Sequence, residues 1–195
     1  MILTINGIHE SAEHTTDRIG DRLQREYGLA WRKLWYPTRS ALQTRNRRHQ
    51  YMDARNMLAQ MPSKRCDVVA HSWGCLLACR MMELGGTDVF GRVWFFAPAI
   101  DSDWVFPLES FQRLHVVYHP LDRAVWAAKI LFWSWHPWGD MGRVGYRGIE
   151  DARIANMEDK TPRPNVFHRM HGHYFEHRHV DRWAQAVACD VDDRL

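Results

Sequence analysis

Residues 66–70, Cys-Asp-Val-Val-Ala, constrain the fold of this chain more than any other stretch. The run is short, centred on two adjacent valines, and reads as a strand buried on both faces. Such strands belong to parallel sheets covered by helices on either side. The sequence that follows agrees. After His71, Ser72 and Trp73 come residues 74–84, rich in Leu, Ala, Met and Cys and closed by Gly85-Gly86. The whole is a strand, a sharp turn and a buried helix.

The same alternation extends along the chain. Residues 1–5 read as the first strand, ended by Asn6-Gly7. A helix is predicted over 14–27, where Ile19, Leu23 and Tyr27 recur four apart and Gly28 stops the run. Residues 30–36 read as a strand closed by Pro37, and 51–61 as a helix stopped by Pro62. Further strands are predicted at 92–96, 114–118 and 165–170, and further helices at 121–132 and 180–189. The interval 132–164 has no clean period and holds Trp133, Trp135, Trp138 and four glycines, at 139, 142, 145 and 148. A structureless stretch of that length is unusual unless it is functional. No repeat or low-complexity linker divides the chain. It reads as one α/β domain over residues 1–195, with a mostly parallel sheet of about six strands and helices on both faces.

Composition narrows the function classes. The chain has 195 residues, 46% apolar and 25% charged, enough for a folded domain with a sizeable core. No apolar run approaches the roughly 20 residues that span a bilayer, so no membrane partner is expected. Met1-Ile2-Leu3-Thr4 opens no secretory signal pattern, so the expected compartment is the cytoplasm. A net charge of +3 from 26 basic and 23 acidic residues does not point to nucleic acid. The nearest basic cluster, Arg45, Arg47, Arg48 and His49, reads as a solvated loop or helix start. Cys66, Cys75, Cys79 and Cys189 form no CxxC pair and are expected as free thiols.

Chemistry concentrates at Val69-Ala70-His71-Ser72-Trp73-Gly74-Cys75. A serine on a tight strand-to-helix turn has its hydroxyl above the C-terminal edge of the sheet. The turn crowds the backbone, so the positions two before and two after must be small; here they are Ala70 and Gly74. The helix N-terminus adds free N–H groups and partial positive charge. The N–H of Trp73 would face an oxyanion formed by attack at Ser72.

The segment resembles the nucleophile elbow of the α/β-hydrolase superfamily, G-x-S-x-G, with Ala70 in place of the first glycine. The resemblance covers nearly the whole chain, from residue 2 to about 183, and implies a minimal form of that fold lacking the usual opening hairpin. It also implies a serine, acid, histidine chain order, since a serine hydroxyl needs a base and the base an orienting carboxylate. Asp122, just after the strand at 114–118, is the expected acid, with Asp101 and Asp103 as competitors one strand earlier. His171-Gly172-His173-Tyr174-Phe175 looks like the family's histidine loop and selects His171 as base, with His173 as runner-up. His168 falls within a predicted strand and is assigned to the sheet; His71 is read as structural support. The second oxyanion donor is expected on the loop after the first strand, at Ile8 or Gly7. The resemblance further implies that 132–164 is a substrate-shaping insertion, with Trp133, Trp135 and Trp138 as substrate-binding candidates.

The expected activity is therefore hydrolysis of a small-molecule ester or thioester through Ser72, His171 and Asp122, with neither cofactor nor metal. Two readings from other classes stand beside it. One is a non-catalytic binding module on a hydrolase fold. The other is a His-rich metal-binding protein, using His168, His171, His173, His177 and His179 with Asp181.

Overall fold

Six strands line up in one all-parallel sheet in the computed structural model, which describes residues 1–8, 15–37, 44, 46–122, 124, 138–161 and 171–192. The strands are β1 (Ile2–Ile5), β2 (Trp31–Lys33), β3 (Cys66–His71), β4 (Phe90–Phe96), β5 (Phe111–Tyr118) and β6 (Ile154–Glu158). The described residues hold five α-helices: α1 (Asp17–Tyr27), α2 (Arg47–Gln60), α3 (Trp73–Gly85), α4 (Met141–Val144) and α5 (His177–Asp192). Spatial order across the sheet is β2-β1-β3-β4-β5-β6.

Side-chain alternation along the central strands explains the two covering layers. Val68 and Ala70 face one side with Phe95 and Val116, where α2 and α3 close over them through Met57, Leu76 and Leu77. Val69 faces the other with Trp94, Phe96 and Val117, under Ile19 and Leu23 of α1 and Val180 and Trp183 of α5. Because both faces are covered, every residue of β3 is buried. Helix α3 is itself buried from Trp73 through Met82, which accounts for its apolar run without a polar stripe.

Element boundaries differ from the sequence expectations where local signals compete. Helix α2 starts at Arg47, four residues ahead of the apolar period, because the Asn46 side chain caps it by accepting from the Arg48 N–H. The second strand pairs only over Trp31–Lys33. The sixth strand is Ile154–Glu158, inside the interval that reads as irregular; it pairs with β5 from Leu114↔Ile154 to Tyr118↔Glu158. As an edge strand it is half exposed and carries no apolar run. The interval 132–164 thus contributes a strand to the sheet. The strand expected at 165–170 lies outside the described residues, as does most of the helix expected at 121–132. All four cysteines are free thiols. No helix among the described residues is long and apolar enough to cross a membrane.

The strand order reverses direction between β1 and β3. In open parallel sheets, a crevice forms beyond the carboxyl ends of the strands at such a switch point. The two loops that border it are residues 6–8 after β1 and the turn at Ser72 after β3.

Candidate active site

The turn at Ser72 is strained. Its φ of 53° and ψ of −119° lie where side-chain-bearing residues are rare. A conformation of this kind costs on the order of 1–3 kcal/mol and persists only when the surroundings hold it. Here the Ser72 N–H donates to the Phe96 carbonyl at 3.0 Å, and the Ser72 carbonyl accepts from the Cys75 N–H at 3.1 Å. Gly74 is required by close approach: a Cβ there would sit 2.6 Å from the carbonyl oxygens of Ile5 and Asn6. The first turn of α3 is therefore pressed against the end of β1, which brings residues 6–8 beside the serine.

The carboxylate comes from the end of β5. Beyond Tyr118 the chain turns at His119, whose carbonyl accepts the Asp122 N–H at 2.9 Å. The His119 ring accepts the Leu121 N–H at Nδ1, so Nε2 carries the proton and donates to the Thr161 carbonyl. Asp122 is fully buried, and its Oδ1 accepts the Ala124 N–H at 3.1 Å.

The histidine arrives from the segment before α5 and joins these two elements. His171 Nδ1 lies 2.8 Å from Asp122 Oδ2, and His171 Nε2 lies 2.7 Å from Ser72 Oγ. An ionised carboxylate can only accept, so Nδ1 carries the hydrogen and Nε2 presents its lone pair to the serine hydroxyl. His71 and Arg18 hold the loop. His71 Nε2 donates to the His171 carbonyl at 2.8 Å, and the His71 ring lies edge-on to Phe175 at 4.9 Å. Arg18 of α1 donates to the Phe175 carbonyl at 2.9 Å.

The competing candidates stand elsewhere. Asp101 and Asp103 lie on the β4–β5 connection, and the His171 ring faces Asp122 instead. His173 belongs to a second, sealed pair: its Nε2 lies 2.6 Å from Asp159 Oδ2, with both side chains at most 1% exposed. Asp159 also accepts from Thr161 and from Arg182. Burial alone would raise the Asp159 pKa, but hydrogen bonds from His173, Thr161 and Arg182 outweigh it and hold the carboxyl well below the usual range. Asp159 was not a sequence candidate. Its signal, an Asp directly after a strand, was hidden because the edge strand before it carries no period.

The loop after β1 is pinned from two sides. The Asn6 side chain accepts from the Thr16 N–H at 3.0 Å and donates to Asp17, while the Tyr36 hydroxyl lies 2.8 Å from the carbonyls of both Asn6 and Gly7. Ile8 packs against the core on the α2–α3 side. Of the tryptophan candidates, Trp138 packs on Trp73 with ring centres 5.3 Å apart. Trp73 is 1% exposed, so its indole serves the core. Trp133, Trp135 and His168 lie outside the described residues. Among the described residues no group of three or more His, Cys, Asp or Glu side chains is placed to hold a metal ion.

No family model matches the chain, and no curated protein matches it. Solved structures do. A CIB-like hydrolase, so assigned by prediction, from Thermoplasma acidophilum superposes with a TM-score of 0.55 at 14% identity, over 98% of this chain and 86% of that one. A protein assigned to the alpha/beta superfamily of hydrolases, from Xanthomonas campestris pv. campestris, superposes with a TM-score of 0.51 at 13% identity, over 98% of this chain and 97% of that one. At such identities the likeness defines the architecture: this chain has the α/β-hydrolase fold.

Proposed function

We propose that the protein is a serine hydrolase that cleaves a small-molecule ester or thioester, with Ser72 as nucleophile, His171 as general base and acid, and Asp122 as the orienting carboxylate. One observation carries this reading. A single imidazole bridges the hydroxyl of a strained serine, at 2.7 Å, and a buried aspartate, at 2.8 Å. A serine that merely capped α3 would need neither partner, and Ser72 makes no side-chain cap hydrogen bond.

The steps follow from the placement of protons. Ser72 Oγ attacks the carbonyl carbon while its proton passes to His171 Nε2. The carbonyl π electrons move onto oxygen, forming a tetrahedral oxyanion. The backbone N–H of Trp73, at the first helical position and unclaimed within the helix, and that of Ile8 or Gly7 receive that charge. Collapse breaks the bond to the leaving alkoxide or thiolate, which takes the proton from His171. Water then repeats the sequence on the acyl-serine, releasing the acid and restoring Ser72. Asp122 keeps the Nδ1–H tautomer and steadies the imidazolium through both halves.

Ser72→Ala is the test. Turnover of a p-nitrophenyl ester should fall by roughly 10³-fold or more while the far-ultraviolet circular dichroism and melting curve stay in place. Undiminished turnover in that variant would contradict the reading.

A further inference from the structure

We propose that the Tyr36 hydroxyl is a positioning group for the oxyanion-binding peptide at residues 7–8; this rests on the serine-hydrolase reading above. The Tyr36 hydroxyl lies 2.8 Å from the Asn6 carbonyl and 2.8 Å from the Gly7 carbonyl. In a trans peptide the C=O and the following N–H point in opposite directions. The single hydroxyl proton, shared between the Asn6 and Gly7 carbonyls, holds the Gly7 carbonyl and with it the direction of the Ile8 N–H. That N–H donates to no backbone carbonyl among the described residues.

Glycine makes the restraint necessary. With no Cβ, Gly7 rotates about its backbone more readily than any other residue, so the Gly7–Ile8 peptide can turn over at low cost. A turned peptide would present a carbonyl oxygen where the oxyanion develops, replacing attraction with repulsion. The Asn6 side chain ties the loop to α1, but it grips the residue before the mobile peptide. Tyr36 grips the peptide itself.

The anchor is rigid for reasons visible in its surroundings. The Tyr36 ring is partly buried against the same core that receives Ile8. The residue before it, Trp35, is held at both backbone groups by the Gln60 side chain of α2, at 3.0 Å and 2.9 Å. Leu34 donates its N–H to the Thr4 carbonyl of β1 at 2.9 Å. Tyr36 is thus carried on a segment tied to β1 and α2, and it does not touch the reacting atoms.

Tyr36→Phe keeps the ring and removes only the hydroxyl. Deleting an oxyanion donor costs about 10²–10³ in kcat, so loosening one should cost roughly tenfold or more. The expected result with p-nitrophenyl acetate is a fall in kcat with KM and the pH profile unchanged. Affinity for an alkylboronic acid, which forms a tetrahedral adduct on the serine, should weaken by a similar factor. If the wild-type protein turns over the ester and Tyr36→Phe retains kcat within about twofold, or loses only KM, the positioning role is wrong. A wild-type protein that neither hydrolyses the ester nor reacts with a fluorophosphonate removes the hydrolase reading and this inference with it.

Discussion

Two imidazole–carboxylate pairs have their histidines two residues apart in the chain and differ in what the rest of the molecule leaves open. His171 pairs with Asp122 at 2.8 Å, its side chain 24% exposed. His173 pairs with Asp159 at 2.6 Å, and its side chain is 1% exposed. The open imidazole has a serine hydroxyl on its second nitrogen. The sealed one packs edge-on against the rings of His119 and His179. The chemistry of the two pairs is the same, so the pairing alone does not make a proton-transfer site. What distinguishes them is access and the partner of the second nitrogen.

The sealed pair has its own work. Thr161 donates to Asp159 and accepts from His119, whose turn leads to Asp122. His173 follows His171 by two residues. The His173–Asp159 contact therefore ties the β6 end to the loop bearing His171 and, through Thr161, to the turn bearing Asp122. The closed pair braces the open one.

The comparison can be broken by exchanging the damage. His171→Ala should lower kcat/KM for a p-nitrophenyl ester by about 10⁴-fold while leaving the urea midpoint nearly unchanged. His173→Ala should do the reverse. It leaves the buried Asp159 charge without its imidazole and should cost about 3 kcal/mol in urea unfolding, with activity falling far less at temperatures where the variant stays folded. Equal effects of the two variants on kcat/KM and on stability would erase the distinction.

A smaller effect appears in acid. The Asp159 pKa is lowered in the folded protein, so its contribution to stability is complete above the unfolded carboxylate value, near pH 4. That contribution is lost as the pH falls through the folded value. Asp159→Asn has no carboxyl to protonate at this position. The stability gap between wild type and Asp159→Asn, from urea unfolding at pH 7, 5, 4 and 3, should be constant down to about pH 5 and narrow below it. A gap independent of pH would mean that Asp159 is not the buried anion described.

Much of this was legible in the residues, for physical reasons. Adjacent valines, the small positions Ala70 and Gly74, and the apolar run after them encode a buried strand, a crowded turn and a buried helix. Each demand is local, so each shows in sequence. The expectation of Ser72, Asp122 and His171 rests on the resemblance to the α/β-hydrolase superfamily and the chain order it implies, and hydrogen bonds bring those three side chains together. The edge strand β6 was not legible, because half-exposed residues such as Ala155, Asn156 and Glu158 carry no burial pattern. Asp159 stayed hidden with it. Tyr36 was invisible because its role depends on a contact with Asn6 and Gly7, 30 and 29 residues away. Spacing does not encode such contacts; topology does. The histidine-loop pattern selects His171 and leaves His173 as runner-up, and the partner carboxylates, Asp122 and Asp159, separate the two in space.

The most direct measurement is covalent labelling with a fluorophosphonate, followed by intact mass and peptide mapping. A single adduct on Ser72 is expected, abolished in His171→Ala and retained in His173→Ala. No adduct on the folded wild-type protein, or labelling of Ser72 unaffected by His171→Ala, would contradict the claim that this serine is activated by the open pair.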